Sequence, residues 1–145
     1  MNGIRRYTLV LSVYVSTRGF AFVLSESSLS PVDWGVKEAR GRGKNRRCLA
    51  KFVATLDHCQ PDILVLQDTS PDGTRRAPWV TNLNAAIAEL AKGREILVYL
   101  YSREDVRGAF GYLGAVNKQV IAEVIAKHIP AFERYVPPPR KPWMS

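Results

Sequence analysis

The stretch Leu9–Leu24, LVLSVYVSTRGFAFVL, holds two apolar runs around Ser16–Gly19, STRG. Both runs are rich in Val, Leu, Phe and Tyr, the residues that suit a pleated, half-buried surface. Four turn-forming residues between them, with a glycine free to take positive φ, predict a hairpin. The first strand runs over Tyr7–Val15 and the second over Phe20–Leu24. Tyr14, near the tip of the first strand, is the odd residue, because no charge lies beside it in the run.

From this hairpin the chain reads outward. Ser25–Pro31 is a turn cluster, and Val32–Val36, VDWGV, predicts a short third strand at an edge. Lys37–Arg47, KEARGRGKNRR, is a glycine-broken basic loop. A helix over about Lys44–His58 follows, with Cys48, Leu49, Phe52, Val53 and Leu56 on one face. Gln60–Asp62, QPD, stops it. Ile63–Asp68, ILVLQD, is a continuous apolar run of the kind buried on both faces of a sheet. Thr69–Pro78 is a loop, Trp79–Lys92 a second helix ended by Gly93, and Glu95–Tyr101, EILVYLY, a further buried strand. Ser102–Asp105, SRED, has capping-box character. A last helix runs over about Asn117–His128.

The order β-β-β-α-β-α-β-α-α predicts an α/β fold: a mixed five-stranded sheet with helices on both faces. We read one domain over residues 1–136 and a Pro-rich tail over 137–145. The chain has 145 residues, enough for a real core. Its net charge of +8 and pI near 9.8 point to an anionic partner, nucleic acid before a membrane surface or an acidic protein. No uncharged apolar run approaches the ~18 residues that span a bilayer, and no cleavage site follows the first apolar run. A cytoplasmic protein is expected. Cys48 and Cys59 lie on one helix about 16 Å apart, too far to bridge, and read as two buried thiols of a reducing compartment.

The ordered set of VLSVYVSTRGFAFV, VDWGV, GRGKNRR, PDILVLQD, ILVYLYSREDVRGAF, NKQV and PPPRKPWM resembles the RuvC-type Holliday junction resolvases, of ribonuclease H-like topology, and in particular small bacterial RuvC-like proteins. The resemblance spans nearly the whole chain. It implies a magnesium-dependent endonuclease whose carboxylates come from the ends of the first and fourth strands and from a final helix. Cleavage through two metal ions needs such a cluster, because magnesium takes hard, anionic oxygen ligands. Carried over by position, the first aspartate falls on Tyr14 and the fourth-strand glutamate on Gln67. The final helix would begin just past Lys141–Ser145. Asp68 stands next to Gln67, but strand alternation aims it at the opposite face. The resemblance therefore implies a degenerate catalytic site, with no cofactor expected in this chain.

The same resemblance implies a DNA-facing side. Lys37–Lys51 holds seven cations, Lys37, Arg40, Arg42, Lys44, Arg46, Arg47 and Lys51, against the single acid Glu38. Glycines let backbone approach phosphate, and each pairing releases counterions. Lys118, in NKQV, matches a family lysine near the scissile phosphate. Arg18 in the hairpin turn and Arg75 and Arg76 in the loop after the fourth strand complete the candidate nucleic-acid set. For each cation the plain alternative is a solvated surface charge. Tyr14 has its own plain reading, an aromatic ring that fills the pocket left by the lost carboxylates.

Three functions stay open on sequence. The first is a module that binds branched or duplex DNA, with RNA as the variant, and has lost or impaired cleavage. The second is an active magnesium-dependent junction endonuclease seen without its final acidic helix. The third is a protein-interaction scaffold. The resemblance also makes a homodimer plausible.

Overall fold

A computed structural model describes residues 8–26, 30–69, 78–102 and 105. Two compact units are distinguished, Met1–Ser102 and Arg103–Ser145. Only Asp105 of the second is described, so the account below is of the first. The last helix with Lys118, the arginines Arg75 and Arg76, His128, Trp143 and the tail lie outside the described residues.

Five strands and two helices follow in the expected order: β1 (Leu9–Ser16), β2 (Gly19–Glu26), β3 (Ser30–Glu38), α1 (Lys44–Cys59), β4 (Ile63–Gln67), α2 (Pro78–Gly93) and β5 (Leu97–Tyr101). The sheet is mixed, in the order β3-β2-β1-β4-β5. β1, β2 and β3 are antiparallel neighbours, whereas β1–β4 and β4–β5 are parallel. Parallel neighbours need crossovers, and α1 and α2 supply them.

Alternation along β1 decides the core. Leu11, Val13 and Val15 are buried, together with Phe20, Phe22 and Leu24 of β2 and Leu64 and Leu66 of β4. Cys48, Phe52, Leu56 and Cys59 of α1, and Val80, Leu83, Ile87 and Ala91 of α2, close on the same side. Both described helices therefore cover one face. Phe20 and Phe52 meet edge-to-face at 5.8 Å across it. Both cysteines are free and buried.

Two elements differ from their sequence reading. β3 is not short: it spans nine residues and carries Lys37 and Glu38, which shortens the basic loop to residues 39–43. It is an edge strand, as expected. β5 was expected to be buried, but Leu97, Tyr99 and Leu100 are each more than half exposed. It forms the other edge of the sheet, and an apolar run carries no mark of whether a further strand pairs with it.

The hairpin turn depends on Gly19. Its φ is +151°, and a Cβ there would lie 2.0 Å from the Lys37 carbonyl oxygen of β3. Gly19 therefore lets β3 close onto the hairpin. Replacing it with alanine should destabilise the chain by about 1–3 kcal/mol through backbone strain alone, with the overlap adding to that. A urea titration checks the expectation; an unchanged midpoint would refute it.

Candidate nucleic-acid interface

The strand directions bring several segments to one end of the sheet. β1, β4 and β5 finish there, β2 begins there, and β3 arrives there antiparallel to β2, with Gly19 opposite Glu38. The tip of the β1–β2 hairpin, the loop before α1 and the first turn of α1 consequently share one end. Backbone contacts tie them together. Ala39 N–H donates to the Arg18 carbonyl at 3.1 Å, and Lys44 Nζ donates to the Thr17 carbonyl at 3.1 Å.

The cations of this end divide into two groups. Lys44 is held inward: besides its bond to Thr17, its ammonium sits 3.2 Å from the Trp79 ring centroid, a cation–π contact to the first turn of α2. Arg47 forks back to donate to the Arg40 and Arg42 carbonyls, and Lys51 donates to the Glu38 carbonyl. These three side chains shape the loop. Arg18, Arg40, Arg42 and Arg46 are exposed around them. Gly41 (φ +80°) and Gly43 (φ +70°) give the loop its left-handed turns, and Gly43 caps α1 without a side-chain hydrogen bond. No acid stands in the first turn of α1, whose free amides and positive dipole end are thus flanked by cations alone.

The strand ends of this same side carry Tyr14 and Gln67, the positions that the sequence resemblance matches to metal ligands. Val13 pairs with Leu66 in the parallel ladder. One step further, Tyr14 and Gln67 stand side by side on the face away from α1 and α2. Gln67 in turn pairs with Tyr101 of β5. The result is a row Tyr14–Gln67–Tyr101 across three adjacent strands, about 4.8 Å apart. Gln67 is 5% exposed and Tyr14 is 43% exposed. The expectation that the Tyr14 ring fills a vacated pocket is therefore corrected: the ring lies on the face the described helices leave uncovered, and nearly half of it meets solvent.

Asp68 follows the last residue of β4, and its N–H donates to the Tyr101 carbonyl at 2.7 Å. The ladder thus continues through it, and alternation turns its side chain away from the row. Buried Asn84 of α2 fixes this strand end from below, its Nδ2 donating to the Gln67 carbonyl at 2.9 Å and to Thr69 Oγ1 at 3.4 Å. Tyr101 and Asn84 are the residues sequence reading missed. Tyr101 is simply the last letter of an apolar strand until register sets it against Gln67, and Asn84 is one polar residue on a helix whose rotation had to be known.

The donor set of the row is a phenol, an amide and a phenol. Phenols are protonated near neutrality, and an amide offers a neutral carbonyl oxygen. Such a row does not fit a pair of magnesium ions, which take anionic oxygen ligands. Among the described residues, no three His, Cys, Asp or Glu side chains come together as a metal site.

No family model and no curated protein matches the chain. Solved structures do. The Thermus thermophilus RuvC structure aligns over 94% of this chain and 86% of its own, with a TM-score of 0.66 at 11% identity. T. thermophilus RuvC in complex with Holliday junction substrate aligns over 92% and 85%, at 0.71 and 12%. The yeast mitochondrial Holliday junction resolvase Ydc2 aligns over 88% and 67%, at 0.56 and 12%. The chain has the fold of these proteins, a RuvC-like, ribonuclease H-type α/β sheet. At such identities the likeness is one of fold.

Burial, and then the neighbouring Tyr14 hydroxyl, push the Tyr101 phenol above its ordinary value of 10.0. The folded state thus holds this proton more tightly than the unfolded state. Its contribution to stability is complete below the ordinary tyrosine range and is lost as pH rises through the higher folded value. Tyr101→Phe should remove that part of the alkaline loss and leave stability near pH 7 little changed. Denaturant midpoints across pH 7–11 read it; an identical alkaline slope in the variant would contradict the assignment.

Proposed function

We propose that this chain is a RuvC-like module that binds branched or duplex DNA and does not cleave it through metal ions. One observation carries the reading. The exposed cations Arg18, Arg40, Arg42 and Arg46 gather at the sheet end that also carries Tyr14 and Gln67, the two positions the resemblance matches to carboxylates. The loop backbone is fixed by Arg47 and Lys51, so its outward arginines are presented on a braced frame, which lowers the ordering cost of gripping phosphate. A structural neighbour of this fold is described as RuvC in complex with Holliday junction substrate, which favours branched DNA over RNA as the partner. Arg75, Arg76 and Lys118 belong to the same proposed set by sequence, as do the single domain over 1–136, a cytoplasmic setting and a homodimer. Among the described residues, no helix is long and apolar enough to cross a membrane.

The test is binding of the full chain to a four-way junction and to a plain duplex across a salt series. Affinity should fall steeply with salt, by about 0.9 in the log–log slope for each phosphate neutralised. The triple variant R40A/R42A/R46A should bind more weakly and with a shallower slope by up to about 2.7. Salt-insensitive binding, or none, would sink the reading in favour of a protein scaffold. Magnesium-dependent nicking of the junction by the unaltered chain would overturn the loss of cleavage.

A further inference from the structure

The face of the sheet that α1 and α2 leave uncovered carries one more exposed ring than the strand-end row. The parallel ladder sets Val65 against Tyr99 as it sets Gln67 against Tyr101, so both tyrosines stand on this face of edge strand β5. They are two residues apart, which separates their Cα atoms by about 6.7 Å. Tyr99 is 56% exposed, and Tyr14, two strands inward, is nearly half exposed. Tyr14 lies near enough to Tyr101 to raise its phenol, an effect second to burial. Three tyrosines thus border one patch on β1, β4 and β5.

The core does not account for these rings. It lies on the other side of the sheet, where Leu11, Val13, Leu64 and Leu66 are buried. The neighbours of Tyr14 on its own face are small, Ser12 and Ser16 along β1 and Ala21 opposite it on β2, and they leave the ring open. With exposed Leu97 below Tyr99, the patch would also fit a second copy of the chain. Three features favour an anionic strand carrying unpaired bases. First, β1, β4 and β5 hold no charged side chain on this face, so no carboxylate there repels a phosphate. Second, the face runs into the cationic end, with Arg18 four residues after Tyr14, and a net charge of +8 opposes a second copy brought face to face. Third, about 6.7 Å is twice the 3.4 Å that each nucleotide occupies in a stacked strand. The interval between Tyr99 and Tyr101 therefore admits one base at stacking distance from each ring. A base in a duplex has both faces taken by its neighbours, whereas an unpaired base has them free.

We propose that Tyr99 and Tyr101, with Tyr14 beside them, stack unpaired bases of single-stranded DNA, so that the chain prefers a branched duplex bearing a single-stranded arm. This rests on the proposed DNA reading and deepens it. The arginines hold duplex phosphates, and the tyrosines take bases that pairing leaves free. Stacking of this kind tolerates any base, because every base has a π face.

Fluorescence anisotropy of the full chain tests this with a plain duplex and with the same duplex carrying a thymidine tail of about eight nucleotides. The tail should tighten binding by about tenfold or more, the gain from one or two stacked bases. Tyr99→Phe should keep that gain. Tyr99→Leu, which leaves an apolar side chain without a π face, should lose most of it. Equal urea midpoints check that both variants fold. Should Tyr99→Leu lower its midpoint, a 2-aminopurine placed in the tail still decides: its fluorescence should be quenched on binding the unaltered chain. R40A/R42A/R46A should weaken duplex and tailed duplex alike and keep the ratio between them. Salt-sensitive binding of the duplex with no gain from the tail sinks this inference and leaves the DNA reading standing; no binding of either sinks both. Equal tail gains in Tyr99→Phe and Tyr99→Leu would overturn stacking, and so would an unquenched 2-aminopurine. An RNA tail preferred to the DNA tail overturns the assignment to DNA. Self-association in sedimentation that Tyr99→Leu abolishes and the tailed duplex does not disrupt gives the face to a second copy and overturns the proposal.

Discussion

The parallel pairing of β1 with β4 is the constraint on which the rest of the molecule depends. It holds Val10 against Ile63 through Val13 against Leu66 in the middle of the sheet. Its entry end is clamped in both directions, with Leu9 N–H donating to Asp62 Oδ2 at 2.8 Å and Asp62 N–H to the Leu9 carbonyl at 2.9 Å. A parallel neighbour cannot be reached by a tight turn, so the chain after β3 must cross one face as a helix. That crossing is α1, and its length and apolar stripe follow from the need to span and cover the sheet. A slip of one residue in this pairing would send Leu64 and Leu66 to the uncovered face and part Tyr14 from Gln67. Core and candidate site therefore share one register.

The same topology gathers charge. Placing cations in the first turn of a helix works against its dipole, by about 0.3–1 kcal/mol each at an exposed site. Here Lys44, Arg46 and Arg47 occupy that turn with no acid beside them. Two of the three offset the cost locally, Lys44 through the Thr17 carbonyl and the Trp79 ring, Arg47 through the carbonyls of the loop. Arg46 has no such carbonyl among the described contacts and points outward on the exposed side of the turn. An arriving phosphate reverses the sign of the dipole term, because an anion at a helix N-terminus is stabilised by what destabilises the cation. The arrangement costs little when the chain is empty and favours it when anionic ligand is bound.

How much of this was legible in sequence depends on whether a feature is local. The two described helices were, because a 3.6-residue stripe and the stops at Gln60–Asp62 and Gly93 are written in adjacent residues. The hairpin was as well, through STRG. β3 was longer than read, because Ser30, Pro31 and the charged Lys37 and Glu38 break an apolar pattern that an edge strand does not need. β5 was read as buried, because LVYLY looks the same in mid-sheet and at an edge; exposure follows from what pairs beyond it. The candidate metal positions Tyr14 and Gln67 were placed by resemblance, and their neighbour Tyr101 emerged only with the β4–β5 register. Sequence also counted seven cations in the loop region without showing that three of them turn inward to carbonyl oxygens.

The chemistry of the strand-end row bears directly on how nucleic acid would be held in the proposed reading. A cluster of carboxylates at the mouth of a cationic surface repels a phosphate until metal ions neutralise it. The row offers phenol and amide groups rather than carboxylates, so the field of Arg18, Arg40, Arg42 and Arg46 meets no carboxylate charge from it. In the proposed reading, holding and cutting thereby become separable. On that reading, a row without carboxylates needs no bridging metal at the moment of binding and leaves divalent ions to act as ordinary salt, which weakens the contact by screening. In the proposed reading, a chain with this row would grip a junction without metal more readily than one that keeps its acids, because no carboxylate repels the arriving phosphate.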